Sequence, residues 1–430
     1  MYTKQLLTFI ENSPTAYQAV DASAAILEEQ GFARLGAQSA WELVPGKGYY
    51  TVQNGTSILA FRMPKGKIDG MMIAASHSDS PTFKLKANCE ADAFGDYVKI
   101  NTERYGGMIL STWLDKPLSL AGRLVVKQGD AIKAINVKVD RDLLLIPNVA
   151  IHQNRKHNDG FVFNAQTDMM PLYGMASAKG TLLAQVAAAA GVEAESVIGS
   201  DLYLYNRTPA TIWGADDAFF SAPRIDNLMC AYGTLQGFLQ AGAAANTLQV
   251  WACFDNEETG SHTKQGAGAL WMRDTLERVC ESTGTDLRRV LAASMLLSAD
   301  NAHAKHPNHP ELSDAQNAPR MGGGVVIKAN ASQSYATDGI SCAIFSEICK
   351  KAGVPTQSFA NRSDSPGGST LGSIADTLLP VNTVDIGMAQ LAMHSSYETA
   401  ACADNAHLVG ASRAFFETTI TPDGMGNYTI

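Results

Sequence analysis

The chain has 430 residues, 46% of them apolar and 17% charged, with a formal net charge of -9. That length exceeds what one hydrophobic core ordinarily serves, so two domains are expected, and the balance of apolar and charged residues excludes a disordered chain. The acidic charge argues against nucleic acid as a partner, and no apolar run is long enough to span a bilayer, so no membrane partner is expected either.

The N-terminal stretch MYTKQLLTFIENS holds a short apolar run with no small-residue cleavage site, and no signal peptide is expected. A helix is predicted with Ser13 as cap and Pro14 in the first position. Tyr17, Val20, Ala24 and Leu27 then recur at helical spacing, and Gly31 closes it. SILAFRM (57–63) and MMIAAS (71–76) read as strands, the second running into the polar HSDS.

From about 84 to 211 the character changes. Gly-punctuated strands such as RLVVKQG (123–129) and AINVKVD (134–140) dominate, with an Ala-rich helix over 184–195. This segment reads as a second domain inserted into the first, which divides the chain into 1–83, 84–211 and 212–430. Over 212–430 a single theme repeats: a buried strand, a polar turn, then a helix. Strands at 248–254, 294–299 and 381–388 run toward Glu257–Glu258, Asp300 and His394, and a helix is predicted over 227–240. The alternation predicts an α/β fold with helices on both faces of a sheet. Ligands in such folds bind beyond the carboxyl ends of the strands.

Seven cysteines (Cys89, Cys230, Cys253, Cys280, Cys342, Cys349 and Cys402) are scattered, odd in number and without CxxC spacing. Reduced thiols and a cytoplasmic location are expected, and any metal must be held by His, Asp and Glu. The strand ends supply such residues: His77 and Asp79, Asp226, Glu257 and Glu258, Asp300 and His303, and His394. Carboxylates mixed with imidazoles suit zinc or a similar divalent ion. A dinuclear site needs about five protein ligands, one of them bridging. His77, Asp226, Glu258, Asp300 and His394 offer one each from five separate strand ends. Each also has a plainer explanation. Asp226 could cap the helix that follows, Asp300 a turn, and Glu257–Glu258 could form a surface turn. His303, His306 and His309 share a Pro-containing loop that would ordinarily be solvated. The shared placement after buried strands favours the joint reading.

The segments AASHSDSPTFKLK, YGGMILSTWLDKPLSLAGR, IPNVAIH, SAPRIDNL, FDNEETGSHTKQGAG, SADNAHAKHPNHPE, VIKANASQSYATDG, RSDSPGGSTLG and DIGMAQLAMHSSYE resemble, in order, the aspartyl aminopeptidase and aminopeptidase I family of zinc exopeptidases. The resemblance implies a mixed-sheet catalytic domain built from the N-terminal and C-terminal segments, with a β-rich dimerisation domain inserted between. It implies two zinc ions per subunit, with manganese or cobalt able to substitute. His77 and Asp300 would bind one ion, Glu258 and His394 the other, and Asp226 would bridge. Glu257 would be the general base, and Asp79 would support His77. His303, Lys328 and Tyr335 would contact the substrate, together with Glu257 and Asp300. His152 would reach the site of a neighbouring subunit within a homododecamer built from dimers. The chain departs from the family pattern at Met108, where a third Gly follows YGG in relatives, and at QNR (153–155).

The activity implied is removal of the N-terminal residue from peptides with a free N-terminus. On an extended backbone Glu257 would point away from the ion that Glu258 holds, and toward the nucleophilic water. Lys328 in VVIKANAS suggests a preference for Asp or Glu, since a buried cation is costly without a partner. A broad or neutral and aromatic preference is the alternative. The competing functions are a related dinuclear zinc deacylase or carboxypeptidase, and a non-catalytic assembly protein.

Overall fold

A computed structural model describes residues 2–430. Its centre is a nine-stranded sheet ordered Ala33–Arg34, Gly48–Gln53, Ser57–Arg62, Thr247–Phe254, Gly70–His77, Met295–Ala299, Asn382–Gly387, Val325–Lys328 and Thr356–Phe359. Thr247–Phe254, Gly70–His77, Met295–Ala299 and Asn382–Gly387 run parallel, while strands toward both edges include antiparallel pairs. The sheet is therefore mixed, as expected.

Side chains on the central strand alternate with the period of two that a pleated strand imposes. Met71, Ile73 and Ala75 join one core, with Met272, Leu276, Leu371 and Ala375 of helices Trp271–Ser282 and Leu371–Leu378. Met72 and Ala74 join the other, with Leu235, Phe345, Leu408 and Phe415 of helices Ile225–Gln240, Gly339–Lys351 and Cys402–Glu417. Helices thus cover both faces. Ile225–Gln240 and Cys402–Glu417 pack unusually close. A Cβ on Gly233 would sit 2.4 Å from Leu408 and one on Gly237 2.4 Å from Ser412, so only glycine permits this approach.

Residues 82–206 form a separate antiparallel sheet of six strands, ordered Ala131–Lys138, Leu118–Gln128, Val197–Asn206, Thr82–Ala93, Tyr97–Tyr105 and Leu172–Met175, with its own core. It docks on the N-terminal segment through polar contacts. Asp201 accepts hydrogen bonds from Lys84, Arg123 and the Tyr17 hydroxyl, and Gln18 donates to Gly122 and Val137 carbonyls. A third, five-stranded sheet joins Thr211–Trp213, Phe219–Ala222, Glu398–Ala401, Ala389–Leu391 and Ala302–His303.

Two helix expectations need correction. Residues before Ser13 form their own helix, Tyr2–Asn12, which buries Leu6, Phe9 and Ile10. Ser13 and Pro14 lie in the break, because a proline disfavours helical backbone in the residue before it. The second helix runs Ala16–Glu29 with Thr15 as N-cap. The Ala-rich helix is Leu182–Ala189, ending before Gly191, whose φ of 68° breaks helical geometry. Among the described residues no helix is long and apolar enough to cross a membrane.

Candidate functional site

Four parallel strands end on one side of the central sheet, and the polar residues collect there. His77 is the last residue of Gly70–His77, and Asp300 directly follows Met295–Ala299. Asp226 lies at the start of Ile225–Gln240, but its backbone (φ -80°, ψ 108°) is not helical, and it caps nothing. His394 sits in the turn between Ala389–Leu391 and Glu398–Ala401 with φ 66°. The expectation of an extended backbone at Glu257–Glu258 is wrong. Asn256, at φ 63°, turns the chain into a single 3-10 turn, Glu257–Thr259. Left-handed conformations at Asn256 and His394 cost about 1–3 kcal/mol each and persist only where the surroundings enforce them.

Two imidazoles approach one carboxylate from its two oxygens. His77 Nε2 is 3.6 Å from Asp226 Oδ1 and 3.6 Å from Asp300 Oδ1. His394 Nε2 is 3.4 Å from Asp226 Oδ2 and 3.4 Å from Glu258 Oε2. Donor atoms of His77, Asp226 and Glu258 lie within 4.8 Å of one another. Each imidazole has its Nδ1 against a carbonyl: Asp79 O at 3.1 Å for His77 and Gly107 O at 2.6 Å for His394. A carbonyl can only accept, so Nδ1 carries a hydrogen on each ring, and Nε2 is the nitrogen turned to the carboxylates.

Asp79 ties this group together. Its side chain lies 3.3 Å from His77 Nδ1 and accepts from the backbone N–H of Glu257 and of Glu258, both at 3.2 Å. Glu257 points its Oε2 to 4.0 Å from His77 Nε2. Burial pushes Glu257 up to about 8; the charges of Asp300, Asp79 and Asp226 add to this, while His77 opposes. Glu258 is also raised well above the ordinary carboxylate range, by burial and then by Asp226. Burial acts to raise Asp300 too, but Lys328 and His77 hold it well below the ordinary carboxylate range. For His394, burial acts downward, yet the bond to Asp226 lifts it to about 9.

The donor set fits a divalent cation. Asp226 Oδ1 and Glu258 Oε1 are buried without a hydrogen-bond partner. Five carboxylates (Asp79, Asp226, Glu257, Glu258 and Asp300) lie close together, and of these Asp300 is paired with the Lys328 ammonium. Uncompensated buried charge is costly, and a bound cation relieves it.

A cleft of about 350 Å³ opens beside the group, lined by Asp226, Glu257, Glu258, Asp300 and His394 and also by His303, Lys328, Tyr335 and Phe359. Lys328 is 2% exposed, and its Nζ donates to the carbonyls of Asp300 (2.7 Å) and Asn301 (3.3 Å), lies 3.5 Å from Asp300 Oδ2, and sits 5.1 Å from the Tyr335 ring centroid. His152 is not brought to this cleft; it lies on an exposed turn in the segment between the sheets' strands.

Two residues at the site lie outside the sequence-derived set. Glu398, 1% exposed, accepts from the backbone N–H of Asp226 (2.9 Å) and of His394 (2.8 Å), and from Gln390 Nε2 (3.2 Å). Tyr105 donates to Asp79 Oδ2 at 2.6 Å and accepts from Asn256 Nδ2 at 2.9 Å. The signal for Glu398 is its place four residues beyond His394. Nothing in the local sequence marks Tyr105.

The sequence model of the family described as "Aminopeptidase I zinc metalloprotease (M18)" matches residues 9–416. The Probable M18 family aminopeptidase 2 of Clostridium novyi (strain NT) is 40% identical over 426 residues, covering 96% of this chain and 98% of that protein. The solved structure of Ape4 in complex with Nbr1 superposes with a TM-score of 0.94 at 34% identity, over 97% of this chain and 85% of that one. The mApe1 dodecamer of S. cerevisiae matches with a TM-score of 0.85 at 27% identity, over 96% of each chain.

Proposed function

The chain belongs to the M18 family of aminopeptidase I zinc metalloproteases, and from that premise we propose that it removes single N-terminal residues from peptides at a dinuclear zinc site, with Glu257 as general base and Asp or Glu preferred at the N-terminus. The observation that carries the dinuclear reading is the Asp226 carboxylate, faced on Oδ1 by His77 and on Oδ2 by His394, with Oδ1 and the neighbouring Glu258 Oε1 buried without a hydrogen bond. His77 and Asp300 would hold one ion, Glu258 and His394 the other, and Asp226 both. When bound, such a pair of ions acidifies a water and polarises the scissile carbonyl, and manganese or cobalt can take zinc's place.

The remaining roles belong to side chains. Asp79 keeps the His77 ring in one tautomer and fixes the 3-10 turn through both of its N–H bonds. Glu257, on that turn and not used by Asp226 or His394, takes the proton of the attacking water and returns it to the leaving amine. The substrate's free α-amine binds among the carboxylates, which makes the enzyme an exopeptidase. His303, Lys328 and Tyr335 line the wall where the N-terminal side chain lies.

The charge of Lys328 at the cleft supports the acidic preference. An ion pair left unmade by a neutral side chain would cost about 1–3 kcal/mol, or roughly tenfold to a hundredfold in kcat/KM. A second reading, broad or neutral and aromatic specificity, is favoured by the prior engagement of that ammonium with Asp300 and two carbonyls, and by the Tyr335 and Phe359 rings beside it. Asp-, Glu-, Leu- and Phe-terminated substrates separate the two: faster cleavage of Leu or Phe by the wild type refutes the acidic preference. Elemental analysis giving one zinc per chain at saturation, or undiminished cleavage of an α-acetylated peptide, refutes the wider reading.

We further propose a homododecamer of dimers, with His152 completing a neighbour's site. The dodecameric mApe1 and the exposure of Val149, Ile151 and Val162 around His152 support it. Light scattering that shows an active monomer refutes it. A cytoplasmic location is supported by seven unpaired cysteines.

A further inference from the structure

Where strand Tyr97–Tyr105 of the six-stranded sheet ends, the chain passes over the metal-binding group before it returns to its own sheet. We propose that this segment, Tyr105–Ile109, is a positioning strap by which the inserted sheet orients the ligands of both ions, with Tyr105 as the positioning residue for one half. The inference rests on the dinuclear reading above.

The strap reaches both halves by separate bonds. On one side the Tyr105 hydroxyl donates to Asp79 Oδ2 at 2.6 Å, and Asp79 in turn faces His77 Nδ1 at 3.3 Å. Asn256 Nδ2 donates to the same hydroxyl, and for its own hydrogen Asp79 Oδ2 at 2.6 Å is the nearer acceptor, with Asp255 Oδ1 farther off at 3.4 Å. The Tyr105 ring is held edge-on against Tyr203 of the neighbouring region of the sheet, with centroids 5.7 Å apart at 81°. On the other side Gly107 O accepts from His394 Nδ1 at 2.6 Å, and Ile109 N donates to His394 O at 3.0 Å. His394 is therefore gripped at ring and backbone by the strap, while Glu398 holds its N–H. Between the two anchors Gly106 has φ 76°, and a Cβ there would press Glu258 at 3.1 Å, so the strap lies directly on the carboxylate-bearing turn.

Partners that orient ligand imidazoles typically change metal affinity by 10–100-fold when removed. Each anchor has its own deletion. Tyr105→Phe removes the hydroxyl and keeps the ring. Ile109→Pro removes the N–H at a residue whose φ of -77° a proline already adopts. Zinc binding to the full-length metal-free protein, measured by competition with a chromophoric chelator, reads the result together with the melting temperature of the metal-free form. In each single variant one zinc ion should bind roughly 10–100-fold more weakly and the other with wild-type affinity. In the double variant both should weaken. Cobalt absorption should change for one ion only in each single variant, and kcat should fall with KM little altered. A Tyr105→Phe protein that binds both ions as the wild type does overturns the strap, even if it melts lower. A double variant that still weakens one ion alone overturns it as well. If Ile109→Pro does not fold, Tyr105→Phe decides by itself. A wild type that never takes up a second ion refutes the dinuclear reading instead.

Discussion

Replacing Glu398 with Gln tests whether one buried carboxylate holds two ligand-bearing backbones in register. Three N–H donors converge on its two oxygens: Asp226 N on Oε2, and His394 N and Gln390 Nε2 on Oε1. A Gln side chain offers one acceptor oxygen, so whichever way its amide is turned, at least one backbone N–H meets an NH2 group. The better orientation keeps the oxygen toward His394 and Gln390 and sets the NH2 against Asp226 N. The loss of one bond to a charged acceptor costs about 1.5–3 kcal/mol, and the stranded donor about 1–3 kcal/mol more. A total of about 3–5 kcal/mol borne by the site corresponds to zinc binding weaker by roughly 10²–10⁴-fold. If metal-free stability bears it, a chain of 430 residues has an unfolding entropy of about 0.9 kcal/mol/K, so the melting temperature falls by about 3–5 °C. Chelator competition and differential scanning calorimetry measure the two shares. A Glu398→Gln protein with both wild-type zinc affinities and an unshifted melting temperature refutes the reasoning.

If Glu257 is the proton carrier proposed, Glu257→Gln should keep both zinc ions and lose about 10²–10⁴-fold in kcat; loss of zinc together with activity would make it a ligand. Asp226→Ala should strip or greatly weaken both ions and His394→Ala only one, and equal stoichiometry in the two by elemental analysis counts against the bridge. At Asp201, burial acts to raise the carboxyl, but Lys84 and Arg123 outweigh it and hold it below its ordinary value. A depressed carboxylate lends stability above the unfolded pKa and loses it as pH falls through the folded one. The melting temperature of the wild type should therefore fall more steeply below about pH 4 than that of Asp201→Asn, and parallel curves would show that the Lys84–Asp201–Arg123 cluster, which lies within the six-stranded sheet, adds nothing to stability.

Residues at strand ends are legible in the sequence because burial and period force them there. The apolar runs that form Gly70–His77, Thr247–Phe254 and Met295–Ala299 can end only in polar residues, and those residues are His77, the Glu pair and Asp300. Their convergence is not legible from any one segment. It depends on four strands lying side by side in an order that sequence adjacency does not specify. The turn at Glu257–Glu258 is hidden because Asn256 adopts a left-handed backbone that tertiary contacts enforce and local preference only permits. Glu398 and Tyr105 reach Asp226 and Asp79 by bonds across more than 170 and 26 residues; the place of Glu398 four residues beyond His394 is the one local trace of either. The first helix, Tyr2–Asn12, is legible after all, since Leu6, Phe9 and Ile10 mark its buried face, but its length of three turns is easily read as a mere approach to Pro14.

The strand order also bears on how the chain reaches its native state. Gly70–His77 lies between Thr247–Phe254 and Met295–Ala299, so its two neighbours are made some 170 and 220 residues after it. The six-stranded sheet, by contrast, closes entirely within residues 82–206. Long-range pairings form slowly because the intervening loop must be ordered first. On the ribosome the inserted sheet can thus assemble while the apolar strand before it waits unpaired, both edges open. An already folded insert shortens the span that the waiting strand must bridge, since the ends at Thr82 and Asn206 are then held near each other. The six-stranded sheet thereby acts as a tether for the strand that precedes it, whose edges stay open until the chain has reached residue 254.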